Sequence, residues 1–263
     1  GVPLLQFNEA QIQAIQHNTG PCMVIAGPGS GKTTVLTHRV RYLIERYGVN
    51  PSDILVITFT KAAAEQMKLK FKGLSEGRNS AVTFGTFHAV FFTILKAAYN
   101  YSAHCIIKPQ IQHEFVKDQM CRLELEYDDE NEAVAGVLSE ISCVKGEDVN
   151  IDEYESRCIP PQSFRIMYRA YDDMLVRKHL IDFDDMIVQC RELLMQREDY
   201  RRAWQNKYKY ILIDEFQDIN KAQFDVVRIL ADEYRNLFVV GDDDQSIYCL
   251  LYTSPSPRDK RQS

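Results

Sequence analysis

Two strings in this sequence place residues fit for phosphoryl chemistry where they could act together. The first, AGPGSGKT at residues 26–33, follows an apolar strand candidate and precedes a segment of helical period. Gly27, Gly29 and Gly31, with Ala26 before them and Pro28 and Ser30 between them, allow backbone N–H groups to turn inward around the β and γ phosphates of a nucleotide. Lys32 supplies a cation to those phosphates, and the Thr33 hydroxyl can ligate Mg²⁺. The helix N-terminus running through Thr33 and Thr34 adds its partial positive charge. The strict form of this loop has Gly where Ala26 stands.

The second string, ILIDEFQD at residues 211–218, is an apolar strand that ends in paired carboxylates. The carboxyl end of a strand in a parallel sheet opens onto the ligand crevice. Asp214 can hold Mg²⁺, directly or through water, and Glu215 can orient and deprotonate the water that attacks the γ phosphate. Two adjacent acids are a weak signal alone, because acidic pairs are common on surfaces. Joined to a phosphate loop, they point to nucleoside triphosphate hydrolysis with ATP and Mg²⁺ as the cofactors.

These residues need a sheet to hold them. Strand candidates at residues 22–26, 54–57, 82–84, 210–213 and 237–240 alternate with segments of helical period at 33–47, 61–71, 87–99, 183–195 and 222–230. That alternation predicts an α/β fold, a parallel sheet with helices on both faces. Between about residues 101 and 180 the strand signals stop. Helical stretches at 110–125, 132–144 and 162–179 take over, which predicts an inserted all-helical subdomain. The expected organisation is a motor-type domain in two parts, 1–100 and 181–248, around an insert at 101–180. Within the insert, residues 124–155 carry twelve Asp and Glu against the single Lys145, a net of minus 11. Such a face repels a phosphate backbone or is simply solvated.

Composition excludes several classes. With 263 residues, 45% of them hydrophobic and 26% charged, the chain can bury a sizeable core. Its apolar runs are far shorter than the roughly 20 residues of a membrane span, and no signal segment opens it, so a cytoplasmic protein is expected. The seven cysteines (22, 105, 121, 143, 158, 190 and 249) form no C-x-x-C pair and read as free thiols. A formal net charge of minus 6 excludes a generally basic coat, so any nucleic-acid contact must come from a local groove.

Further strings narrow the choice among nucleotide hydrolases. FNEAQ at 7–11, VITFTKAAAEQM at 56–67, TFGTFHA at 83–89, DFDDMI at 182–187, DEFQD at 214–218 and VVGDDDQSIY at 239–248 stand in order along the chain. In order and approximate spacing they resemble motifs Q, Ia, Ib, Ic, II and III of superfamily one DNA helicases of the UvrD/Rep/PcrA kind. The resemblance covers residues 4–248 and implies a RecA-like P-loop NTPase domain. It implies that Gln11 reads adenine and that Gln245 senses the γ phosphate and connects it to the DNA track. Thr58, Phe59 and Thr60, with Thr86, Phe87 and His88, resemble the surface that contacts single-stranded DNA. There, hydroxyls bond phosphates and rings stack on bases, although Phe59 and Phe87 equally suit a core. Lys61 and Ala62 stand where the family commonly has Asn then Lys.

The resemblance bears on the last residues as well. After motif III, relatives continue with an Arg-aromatic-Arg-Gly string and later with motifs IV to VI, whereas this chain reads CLLYTSPSPRD at 249–259. That string resembles the translation of a sequencing-library adapter, and residues 249–263 are expected to be a non-native tail. The expected parent is an ATP-dependent 3′–5′ helicase or translocase acting on single-stranded DNA and on single-strand/double-strand junctions. The alternatives are an ATP-binding module inactive by itself and the front part of a helicase-nuclease.

Overall fold

The computed structural model describes residues 7–25, 31–76 and 81–242. Five strands, β1 (Cys22–Ile25), β2 (Ile54–Thr58), β3 (Thr83–Thr86), β4 (Tyr210–Ile213) and β5 (Leu237–Gly241), form one sheet in the order β1-β5-β4-β2-β3. Every pairing is parallel. The inner strands β2 and β5 are buried at all five positions, whereas the edge strands β1 and β3 are half-buried throughout. This explains why β2 and β5 read as continuous apolar runs: a parallel strand covered on both faces has no solvent side to show as alternation.

The chain divides into two compact units. The first comprises Gly1–Val90, Leu193–Ile219 and Phe224–Ser263, and the second Phe91–Glu192 with Asn220–Gln223. The helical unit is therefore wider than residues 101–180. Its boundaries fall inside three continuous helices, α4 (Phe87–Ala98), α8 (Phe183–Gln196) and α10 (Lys221–Ala231), where a sequence carries no break signal.

In the sheet unit, α1 (Glu9–Gln16), α2 (Lys32–Glu45) and α3 (Lys61–Leu74) precede α9 (Glu198–Lys207) and α10 (Lys221–Ala231). Helix α2 places Val35, Leu36, Val40 and Leu43 in one cluster with Ile54, Val56, Leu212, Phe238 and Val240 of the sheet and Met67 and Phe71 of α3. Helix α1 starts on a reciprocal capping box. Asn8 accepts from the Gln11 backbone at 2.8 Å, and the Gln11 side chain accepts from the Asn8 backbone at 3.0 Å.

The helical unit has its own core. Val116 and Met120 of α5 (Pro109–Arg122), Val134, Val137, Ile141 and Val144 of α6 (Glu130–Gly146), and Phe164, Met167, Tyr171 and Met174 of α7 (Pro161–Arg177) pack together. The DFDDMI string serves this unit internally. The Lys145 ammonium lies 2.9 Å from Asp172, 2.9 Å from Asp182 and 3.0 Å from Asp185. Tyr171 donates to the same Asp182 oxygen at 3.0 Å. The only cation of the acidic 124–155 stretch is thus buried, and acids of the stretch pair instead with cations from outside it: Glu130 with Lys117, Asp148 with Arg191 and Lys221, Asp152 with Arg169, and Glu155 with Arg165.

Candidate nucleotide site

Parallel strands in register end along one edge, and the residues that can do chemistry are collected there. Ile25 pairs with Gly241, Val239 with Ile213, Ile213 with Ile57, and Thr58 with Thr86. Ile25 at the end of β1, Asp242 after β5, Asp214 and Glu215 after β4, and the Thr58 and Thr86 ends of β2 and β3 therefore share the carboxyl edge of the sheet. This is where open α/β sheets bind ligands.

Gly31 caps α2 with φ of +78°, a left-handed conformation that costs a side-chain-bearing residue about 1–2 kcal/mol. The next residue, Lys32, points its ammonium at two acids: Asp242 at 2.5 Å and Glu215 at 3.8 Å. Burial works to lower the Lys32 pKa, but the hydrogen bond to Asp242 and the charges of Glu215, Asp242 and Asp214 outweigh it and hold the ammonium above its ordinary value. The cation is therefore fixed where phosphate oxygens would replace the carboxylates.

Asp214 is buried at the end of β4, with its backbone N–H donating to Ile57 at 3.1 Å and its carboxylate accepting from the Glu215 backbone at 2.9 Å. Burial pushes its carboxyl above the usual range, with Glu215 and Asp242 adding to the effect against Lys32 and the backbone bond. A divalent cation is the group that would restore its charge. No cluster of three or more His, Cys, Asp or Glu among the described residues is arranged to hold a metal. Mg²⁺ binds through one or two protein oxygens and takes its remaining ligands from phosphates and water, and the buried Asp214 carboxylate is a donor that could hold it.

Glu215 sits at φ of +52°, the start of a 3-10 turn over Phe216–Asp218. This turn swings Gln217 back onto the site. Gln217 donates to Glu215 at 2.5 Å and accepts from the Asp242 backbone at 3.1 Å, and so ties the two acid-bearing strand ends together. Neither Gln217 nor Asp242 stands out by type in the sequence, although both lie inside the strings DEFQD and GDDDQ. Lys70 of α3, which no motif marks, donates to the Thr34 hydroxyl on the first turn of α2.

Of the remaining expected site residues, Gln11 lies in the first turn of α1, and its side-chain oxygen is engaged by the cap. Thr58 and Phe87 are closed to solvent, at 1% and 2% exposure. The Thr58 hydroxyl is spent on the Thr60 carbonyl at 3.0 Å, and Phe87 packs on Phe59 with ring centroids 5.0 Å apart. Both are supports in this structure. Thr60 and Thr86 cap α3 and α4 by accepting from Ala63 and Ala89, each at 3.1 Å. Phe59 and His88 are half-buried, and burial lowers the His88 pKa. Ala26, Gly27, Pro28, Gly29, Ser30, Gln245 and the 249–263 tail lie outside the described residues.

Comparison with known proteins agrees with this geometry. The UvrD/REP helicase N-terminal domain family matches residues 7–255. YjcD of Bacillus subtilis, described as a putative ATP-dependent DNA helicase, is 35% identical over 266 residues, covering 97% of this chain and 34% of its own length. The ATP-dependent DNA helicase PcrA of Staphylococcus epidermidis is 34% identical over 254 residues, covering 92% of this chain and 34% of its own length. The PcrA of Staphylococcus aureus is 33% identical over 254 residues, covering 93% of this chain and 34% of its own length. The chain thus spans about a third of the length of the curated relatives it matches.

Proposed function

Since this chain belongs to the UvrD/REP helicase N-terminal domain family, we propose that it is the ATP-binding half of a motor that hydrolyses Mg-ATP to move along single-stranded DNA. The observation that carries the reading is the Lys32 ammonium fixed between Asp242 and Glu215, beside the buried Asp214, at the carboxyl edge of the sheet.

Phosphoryl transfer asks mainly for positioning and charge stabilisation. Lys32 binds the terminal phosphates in place of its carboxylate partners. Gly31 and the preceding loop offer backbone N–H groups. Thr33 and Asp214 would hold Mg²⁺, which, when bound, neutralises charge on the phosphates. Glu215, held by Gln217, orients the attacking water and takes its proton. Gln11 reads the adenine, and Gln245 senses the γ phosphate.

The single-strand track is the rim of the β2 and β3 ends, where Thr60 is exposed and Phe59, Thr86 and His88 are half-buried, with the buried Thr58 and Phe87 supporting them. Movement from 3′ to 5′ and engagement of single-strand/double-strand junctions complete the reading, in a cytoplasmic setting.

The test is Glu215→Gln in the full-length protein. ATP hydrolysis is expected to fall at least a hundredfold, in the range of general-base loss, with nucleotide affinity unchanged. Normal turnover by that variant would remove Glu215 from the role of base.

A further inference from the structure

Arg39 is an arginine in the wrong place for a surface ion pair. It lies on α2, two turns beyond Lys32, and is 2% exposed. No carboxylate among the described residues pairs with it. Instead its Nη1 donates to the carbonyl oxygens of Ala14, at 3.2 Å, and of His17. Its guanidinium lies over the Phe238 ring of β5, 4.4 Å from the centroid. Burial pushes its pKa down to about 10, which still leaves it charged at neutral pH.

Those carbonyls belong to the C-terminal end of α1, where a helix leaves unpaired C=O groups and carries partial negative charge. A buried cation is costly unless it is hydrogen-bonded, so Arg39 and the end of α1 stabilise each other. Two neighbours on α2 and just after it reinforce the joint. At the other end of α1, His38 packs edge-on against Phe7, which precedes the Asn8 cap, with ring centroids 4.9 Å apart, and at the C-terminal end the Tyr47 hydroxyl donates to the Gln16 carbonyl at 2.6 Å. The C-terminal end of α1 is thus fastened to the helix that bears Lys32 and Thr33, while its first turn bears Gln11.

We propose that Arg39 is a positioning residue for nucleobase selectivity: it holds α1 in register on α2, so that base and phosphates are read from one rigid pair of helices. This rests on the nucleotide-site reading above. Lysine is a poor substitute, because an ammonium lacks the planar guanidinium face that lies over the Phe238 ring while Nη1 reaches both carbonyls.

The test measures binding of Mg-ATP, Mg-GTP and inorganic triphosphate to the protein and to its Arg39→Lys and Tyr47→Phe variants. For Arg39→Lys, ATP affinity is expected to fall about five- to tenfold, the worth of one net hydrogen bond to the base. Triphosphate and GTP affinities stay unchanged, so selectivity collapses. Tyr47→Phe, an exposed change that leaves the fold intact, shifts ATP affinity in the same direction by a smaller factor. Equal losses for ATP and triphosphate, or an unchanged ATP-to-GTP ratio in both variants, overturn the proposal. If the parent protein binds neither ATP nor triphosphate, the nucleotide-site reading itself fails, and the two failures are told apart.

Discussion

Replacing Lys145 by Met tests how the helical unit is held together. The ammonium is almost wholly buried, with three carboxylate contacts at 2.9–3.0 Å, and Asp182 is as buried as it is. Methionine fills a similar volume, so the loss is electrostatic. It leaves Asp182 with the Tyr171 hydroxyl and the Asp185 backbone as donors, and Asp185 with no cation. Breaking a buried pair by removing one partner costs about 3–5 kcal/mol, a large part of the roughly 5–15 kcal/mol that holds a domain folded. Asp185 is already pushed up to about 6, by burial first and then by Asp182, with Lys145 opposing. Without Lys145 it rises further, and protonation relieves the strain. The loss is therefore expected to be full at pH 8 and smaller at pH 5. Urea unfolding at the two pH values measures it, and a Lys145→Met/Asp182→Asn double variant recovers much of the loss. A loss below about 1 kcal/mol at pH 8, or no dependence on pH, would refute the claim that Lys145 neutralises this cluster.

Asp184, which accepts from Ser142 at 2.7 Å, is pushed up to about 6 by burial, with Asp182 adding to it. A raised carboxylate favours the fold below its unfolded pKa, and that contribution is lost as pH rises through about 6. Asp184→Asn keeps an acceptor for Ser142, and its stability relative to the parent is expected to climb between pH 4 and 7. The gain reaches about 1–2 kcal/mol, below the full value of the shift because the group is partly solvated. Thermal unfolding across that range reads it out, and a flat difference between the two proteins would count against the assignment. At Gly136 an added Cβ would lie 2.9 Å from Cys158 Sγ. That sulfur ends an exposed side chain that can rotate away, so Gly136→Ala inside α6 is expected to be neutral or to gain up to about 1 kcal/mol from helix propensity in the same denaturation assay, and a loss above that size would show the contact to be rigid.

Much of the fold is legible in the sequence because apolar runs and glycine punctuation mark strands and turns locally. The strand expected at residues 210–213 is β4, and the segment at 183–195 is α8 with one residue added. Helix α9 is hidden from such a reading because its sequence, EDYRRAWQNK, is polar on almost every side and buries little beyond Gln205. The unit boundary differs from the expected one because α4 and α8 pass through it without a break. In the site, Lys32, Asp214 and Glu215 stand at spacings that local motifs fix. Asp242 and Gln217 take their roles from the pairing of β5 with β4, which no local pattern encodes. The same holds for Thr58 and Phe87: their types suit a DNA surface, and only the packed structure shows them buried.

The central claim is that these residues are the ATP-binding half of a DNA-driven motor. It is tested most directly by ATP hydrolysis, with and without single-stranded DNA, in this chain and in a version extended to the length of its relatives. DNA-stimulated turnover is expected in the extended protein. In the chain alone, binding with little hydrolysis is expected, since the motifs IV to VI found later in relatives would supply arginines for the transition state, and loss of such arginines costs on the order of 10³–10⁵ in rate. DNA-dependent hydrolysis at a helicase-like rate by the chain alone would contradict it, because the catalytic set would then be complete within these residues.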